Sequence, residues 1–154
     1  AVSREIFLKT AEKTIELLYN HPSVLYYTIF NEGWGQYDAD RLYKEMKALD
    51  PTRIFDTTSG WFFESESDVD SHHIYFRKIN LKAKADKPLV LSEFGGYSLR
   101  IDGHLFGKDN YGYKLYPDEK SFTDAVTELY RKGVLQQDQR IQNTNRNIHS
   151  LFCF

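Results

Sequence analysis

Residues Val24-Leu-Tyr-Tyr-Thr-Ile-Phe-Asn-Glu-Gly-Trp-Gly-Gln36 join an apolar run to a glutamate at its end. The segment Val24–Phe30 is apolar or strand-favouring throughout, which is typical of a strand buried on both faces of a parallel sheet. Gly33 and Gly35 then allow the chain to turn away at once. Because ligands bind at the carboxyl ends of strands in parallel α/β folds, the sequence predicts that Glu32 lies at a ligand-binding end.

A second stretch has the same design. Residues 88–96 read Pro-Leu-Val-Leu-Ser-Glu-Phe-Gly-Gly, so a short apolar strand ends in Glu93 and glycines follow. Glutamate is depleted in strands, and carboxylates are rarely buried without a partner. Two glutamates in the same setting therefore predict one shared site. The alternative is that each carboxylate pairs with a nearby arginine or lysine.

The composition narrows the classes of function. The chain has 154 residues, a formal net charge of −2 and 41% hydrophobic residues, enough for one globular core. The small charge and the lack of a basic cluster argue against nucleic-acid binding. No apolar run approaches the roughly 20 residues that span a bilayer. Aromatic residues make up 16% of the chain, and those in glycine-rich loops suit the apolar faces of sugar rings. The sequence predicts no cellular compartment.

Hydrophobic periodicity predicts the order of elements. The pattern predicts helices over about 3–20, 38–49 and 117–135, and strands over 24–30, 53–58, 73–76 and 89–91. Alternation of helices and strands in the first half predicts a parallel α/β sheet. The long aromatic segment 97–117 is expected to be a loop that covers a site. The segment 136–154 is dense in Gln, Asn and Arg, which predicts little packing.

Six short motifs follow one another along the chain: His21-Pro-Ser-Val24, Asn31-Glu-Gly-Trp-Gly-Gln36, Asp50-Pro-Thr-Arg53, Thr58-Ser-Gly-Trp61, His73-Ile-Tyr75 and Pro88-Leu-Val-Leu-Ser-Glu-Phe-Gly-Gly96. In this order they resemble the catalytic (β/α)8 barrel of glycoside hydrolase family 2, which includes β-galactosidases, β-glucuronidases and β-mannosidases. The resemblance covers about residues 1–135.

The resemblance implies an α/β fold that is part of a TIM barrel. Strands four to seven would be Val24–Phe30, Arg53–Thr58, His73–Phe76 and Leu89–Ser92. Strands one to three and the N-terminal β-sandwich domains of the family have no counterpart here. The segment 136–154 lacks the Thr-Gln pair of strand eight, so we expect that strand to be missing and this tail to be divergent and poorly ordered. The chain is thus expected to be a fragment, with the rest of the parent polypeptide as its partner.

The resemblance also implies the chemistry, which is hydrolysis of β-glycosides with retention and no cofactor. Glu32 would be the general acid/base and Glu93 the nucleophile. Asn31 would hydrogen-bond the sugar 2-hydroxyl, although a turn-capping role is the alternative. Tyr75 would donate a hydrogen bond to the nucleophile, although core packing would equally explain it.

Three further side chains are candidates for binding the carbohydrate substrate. Trp61 lies where the family has an aromatic residue, and Trp34 follows the acid/base, so both are expected to stack on sugar. Packing within the turn is the alternative for Trp34. His73 alternates with Tyr75 and therefore shares its strand face. No ligand spacing repeats among the histidines and aspartates, so we expect no metal.

Two other functions remain open at this point. One is a cellulase- or mannanase-like enzyme, in which the same barrel carries the same two glutamates. The other is an inactive remnant that binds sugar or a partner chain, because a barrel that lacks strands has unpaired edges. The residues do not distinguish galactosides, glucuronides, glucosides and mannosides, or exo from endo action.

Overall fold

The structure is a computed structural model that describes residues 2–33, 35–62, 66–82, 86–144 and 150–152. The helices are α1 (Val2–Leu18), α2 (Ala39–Leu49), α3 (Glu119–Glu128), a π-helix (Leu129–Leu135) and α4 (Gln136–Thr144). The strands are β1 (Tyr26–Phe30), β2 (Ile54–Thr58), β3 (Asp70–Ile74), β4 (Leu89–Phe94), β5 (Tyr97–Leu99), β6 (Lys114–Tyr116) and β7 (Ser150–Phe152).

The chain divides into two compact units, residues 1–72 and 73–154. In the first unit β1 and β2 pair in parallel, with Tyr26 opposite Ile54 and Phe30 opposite Thr58. This pairing confirms the predicted parallel α/β arrangement of the first half. The helices α1 and α2 pack on the sheet through their apolar faces, because apolar residues three or four positions apart lie on the same side of a helix. The core consists of Ile15, Ile29, Phe30, Ala39, Leu42, Met46 and Phe55.

The second unit is built on smaller clusters. β4 and β7 pair in parallel, with Val90 opposite Leu151. β5 and β6 form a separate parallel pair. Leu91 packs with Ile74, Ile79 and Val134, and Leu89 packs with Ile141. Within the described residues the strands form no closed barrel.

Several predicted boundaries were wrong. The strand predicted at 73–76 is β3 at Asp70–Ile74, because buried polar residues occupy its first positions. β4 continues beyond 91, so that Glu93 lies inside the strand. The segment 97–117, predicted as a loop, contains β5 and β6. Each departure depends on pairing between distant residues, which local periodicity does not encode.

The segment after residue 135 also differs from expectation. We expected little packing there, yet residues 136–144 form α4, on which Ile141 and Gln137 are buried. Gln137 Nε2 donates to the carbonyl of Leu81 at 2.6 Å. β7 then pairs with β4. The expectation that barrel strand eight is missing stays a prediction. The predicted domain division at residue 136 stays a prediction.

Among the described residues, none of the helices has the length and apolar character needed to cross a bilayer.

Candidate functional site

Glu32 follows the end of β1 in the first unit. Asn31 is exposed and Glu32 is half-buried, two residues beyond the end of the strand. Gly33 has φ +77° and Gly35 has φ +92°, values that L side chains rarely adopt. The carbonyl of Asn31 accepts a hydrogen bond from Gln36 Nε2 at 2.8 Å, which closes the turn. The sequence pattern thus correctly located a tight turn directly behind Glu32.

The loop after β2 leaves the same end of this sheet. Ser59 N donates to the carbonyl of Phe30 at 2.8 Å, and Trp61 N donates to the carbonyl of Ser59 at 3.2 Å. Trp61 is 43% exposed, so its ring is accessible. The first unit therefore brings Asn31, Glu32 and Trp61 to one edge of the β1–β2 sheet. Trp34 lies outside the described residues.

Glu93 occupies the second unit, inside β4. Its Oε2 accepts a hydrogen bond from the Tyr75 hydroxyl, and His73 Nδ1 lies 3.4 Å from the same oxygen. His73 is almost fully buried at 3% exposure. Tyr75 comes directly after β3 rather than within it. The three predicted residues are therefore brought together, but Tyr75 reaches Glu93 from a turn and not from a strand face.

Aromatic rings line a cavity of about 490 Å³ beside Glu93. The rings of Tyr75 and Tyr113 are 4.3 Å apart between centroids. Gly96 has φ +64°, and a Cβ there would collide with the Tyr113 ring, so glycine allows this tyrosine to approach. The cavity is lined by Tyr75, Ser92, Glu93, Phe94, Gly95, Gly96, Tyr97, Tyr113, Phe122, Val126, Leu129 and Tyr130. Sequence reasoning anticipated aromatic residues in this segment but not their contact with Tyr75.

Tyr97 is one of the residues that line this cavity. Burial raises the pKa of Tyr97, and the neighbouring Tyr116 raises it further. Lys114 Nζ lies 5.7 Å from the centre of the Tyr97 ring and 5.1 Å from that of Tyr116. A hydrogen bond with Tyr116 is the largest cause that raises the pKa of Lys114. At neutral pH Tyr97 is therefore a neutral phenol, and the ammonium group of Lys114 lies over its ring.

The chemistry of these groups suits acid/base or nucleophilic work by carboxylates. Glu32 and Glu93 each have a carboxylate, His73 has an imidazole nitrogen, and the surrounding rings are apolar surfaces with hydroxyl tips. His73 Nδ1 and Glu93 Oε2 are also potential metal ligands. The expectation of no metal and no cofactor stays a prediction.

Comparison with models of known protein families gives a match over most of the chain. The model of the family described as glycosyl hydrolases family 2, TIM barrel domain, matches residues 2–147. The match extends beyond residue 135, where the resemblance found from the sequence ends. No curated protein matches the chain.

Proposed function

The chain belongs to glycosyl hydrolase family 2, and we propose that it carries the two catalytic glutamates of a glycosidase that hydrolyses β-glycosides with retention. The observation that carries this proposal is the family match over residues 2–147, which includes both glutamate motifs. A carbohydrate is accordingly the substrate class. The reaction requires no organic cofactor.

The reaction would proceed by two displacements. The carboxylate of Glu93 attacks the anomeric carbon while Glu32 donates a proton to the departing glycosidic oxygen. Water then attacks the glycosyl–enzyme ester as Glu32 takes its proton, which releases the sugar and restores both carboxyl groups. Retaining enzymes hold the two carboxyl groups roughly 5–5.5 Å apart.

The surroundings of Glu93 support its role as nucleophile. The Tyr75 hydroxyl donates to Oε2, and the buried His73 lies against the same oxygen. Two groups against one carboxylate oxygen restrict the rotation of the carboxylate. A carboxylate held in one orientation has less freedom to lose when it attacks a bound sugar. His73 and Tyr75 are accordingly proposed as positioning residues, although contact with the sugar is also open to Tyr75.

The edge of the first sheet supports the roles of Asn31 and Trp61. Asn31 is exposed beside Glu32, so its amide is accessible to a sugar hydroxyl. Trp61 is 43% exposed at the same edge and offers a ring face for stacking. We also propose that Trp34 stacks on sugar, and this proposal rests only on the position of Trp34 in the sequence motif.

We also propose how the strands of this chain correspond to the strands of a TIM barrel. β1, β2, β3 and β4 would be barrel strands four to seven, and β7 would take the place of strand eight beside β4. Parallel pairing of β1 with β2 and of β4 with β7 supports this assignment. The remaining strands of the barrel would come from the rest of the parent polypeptide.

Covalent trapping tests the proposed function. We would treat the chain with 2-deoxy-2-fluoro derivatives of galactose, glucose, glucuronic acid and mannose that carry activated leaving groups, and then measure intact mass and map the labelled peptide. We expect a label on Glu93 from one of these sugars and none in the Glu93→Gln variant. A label on another residue, or no label on a cooperatively folded chain, would overturn the proposal.

A further inference from the structure

Phe62 combines an unusual backbone with an exposed ring. Its φ is +58°, in the left-handed region, which is rare for a bulky aromatic residue. The side chain is 66% exposed, so burial of the ring compensates little for the strained backbone. Strained residues of this kind cluster at functional sites, where the surrounding structure holds them in place. Phe62 therefore needs an explanation other than core packing.

The loop holds Phe62 beside the turn that follows Glu32. Ser59 N donates a hydrogen bond to the carbonyl of Phe30 at the end of β1, and Gly60 N donates to Ser71 Oγ at 3.3 Å. An ideal Cβ at Gly33 would lie 3.6 Å from Phe62 Cε2, an ordinary van der Waals contact. The Phe62 ring thus lies next to the backbone of the residue that directly follows Glu32.

We propose that Phe62 binds the leaving group of the substrate, and that it favours substrates whose leaving group has an apolar ring face. This inference rests on the proposed function, in which Glu32 protonates the glycosidic oxygen. The carboxyl group of Glu32 must contact the glycosidic oxygen to protonate it. The leaving group is attached to that oxygen, so it lies near Glu32 and near the residues that surround Glu32. An aromatic ring at this place stacks on an aryl group or on the apolar face of a second sugar.

The kinetic test compares two substrates with the same sugar. One is an aryl β-glycoside, and the other is the glycosyl fluoride, which has no ring in its leaving group. We expect Phe62→Leu to lower the ratio of kcat/KM for aryl glycoside to that for fluoride about five- to tenfold. Phe62→Trp should restore the ratio. The matched control is Phe106→Leu, which alters another exposed phenylalanine and should leave the ratio unchanged.

A ratio that Phe62→Leu leaves unchanged, or that Phe106→Leu lowers equally, would overturn the inference. Thermal unfolding separates a binding role from a structural one. Phe62→Gly removes the ring and permits the left-handed backbone, so its Tm should equal or exceed that of the wild type while the aryl preference is lost. A lower Tm with the preference intact would assign Phe62 a structural role instead.

A binding measurement distinguishes failure of this inference from failure of the proposed function. Absence of covalent label and of turnover would overturn the proposed function. Saturation-transfer NMR with phenyl β-glycosides does not require turnover, and we expect phenyl protons to receive saturation from the wild type and from Phe106→Leu but not from Phe62→Leu. Equal transfer from all three proteins, or none from the wild type, would overturn the role of Phe62.

Discussion

Residues 1–72 contain seven Lys or Arg and thirteen Asp or Glu, a formal charge of −6, whereas residues 73–154 contain thirteen and nine, a charge of +4. The acidic surplus of the first unit is partly structural. Asp50, Asp56 and Asp70 are buried and Asp68 is half-buried. Glu93 instead has aromatic rings and a histidine around it. A count of carboxylates therefore does not identify a site, whereas the surroundings of each carboxylate do.

Asp68 illustrates the structural use of a carboxylate in the first unit. It accepts from Tyr43 Oη at 2.7 Å, from Lys47 Nζ at 2.9 Å and from Phe55 N at 2.8 Å. Burial opposes its ionisation, but the hydrogen bond from Lys47 and the others outweigh burial and lower the pKa of Asp68. Burial, followed by the hydrogen bond to Asp68, raises the pKa of Tyr43 to about 12. Through these hydrogen bonds Asp68 connects the segment before β3 to α2 and β2.

Both units also have exposed charged pairs, such as Lys9 with Glu5 in the first unit. Two others lie in the second unit. Lys120 pairs with Asp124 at 2.6 Å and Lys132 with Glu128 at 2.7 Å, and all four side chains are well exposed. Exposed pairs of this kind contribute little to stability because water screens them and the side chains lose entropy. We therefore expect substitution of the buried carboxylates of the first unit to lower stability more than substitution of these exposed carboxylates. Substitution of Glu93 should lower activity rather than stability.

The largest expected effect separates the two glutamates. Glu93→Gln should lower kcat at least about 10³-fold for every leaving group, because no ester can form. Glu32→Gln should be as damaging for alkyl glycosides but much less so for dinitrophenyl glycosides, whose leaving oxygen needs no proton. Steady-state rates on the two substrate types measure this. Glu119→Gln is the control for an exposed glutamate. Equal dependence on the leaving group in both variants would contradict the assigned roles.

The next effect concerns stability and its dependence on pH. Asp50 is fully buried, accepts from Thr52 Oγ1 at 2.6 Å and pairs with Arg53 at 2.8 Å. Asp50→Ala should lower the free energy of unfolding by about 3 kcal/mol, because it leaves Arg53 without its carboxylate. Asp102 forms the matched exposed pair with Arg100 at 3.1 Å, and Asp102→Ala should change little. Urea unfolding at pH 7 measures both variants.

Acid should remove the contribution of Asp50. Burial opposes its ionisation, but the hydrogen bonds from Thr52 and the charge of Arg53 outweigh burial and lower its pKa. Because the folded pKa lies below the unfolded value near 3.9, the stabilisation is present above that value and is lost as pH falls through the folded pKa. The gap between wild type and Asp50→Ala should therefore narrow below about pH 4. A gap that stays constant or widens would contradict this assignment.

The smallest expected effect compares two helix starts. Asp118 caps α3, where its Oδ1 accepts from Ser121 N at 2.8 Å. Asp38 precedes α2 with φ +42°, and its side chain makes no capping bond. Asp118→Ala should lower Tm by about 2–4 °C. Asp38→Gly should leave Tm unchanged or raise it slightly, because glycine adopts the left-handed region freely. Calorimetry of both variants decides, and a larger loss from Asp38→Gly would reverse the comparison.

Prediction from sequence was most accurate where the signal is local. The helix predicted at 38–49 is α2 at Ala39–Leu49, and the strand predicted at 53–58 is β2 at Ile54–Thr58. Both follow from apolar periodicity in a short window. The helix predicted over about 3–20 is α1 at Val2–Leu18, so its C-terminal end lies two residues before the predicted one. Such end effects depend on neighbours that a window does not contain.

Prediction failed where distant residues supply the partner. β3 begins at Asp70 because a buried polar strand is tolerable there, with Ser71 Oγ donating to Asp56 Oδ1 at 2.9 Å. α4 forms in a polar segment because Ile141 packs on Leu89 and Gln137 bonds to Leu81. No single window of the sequence contains both members of these pairs.

The sequence by itself determined the family, the alternation of helices and strands in the first unit, and the two glutamates with glycines behind them. The spacing of apolar residues and the positions of glycines are local properties, so they can be recognised in the sequence. Only the tertiary structure placed Tyr75 and His73 on one oxygen of Glu93, brought Tyr113 onto Tyr75, and set the Phe62 ring against Gly33. These contacts join residues that are far apart in the chain, and packing alone decides which of them meet.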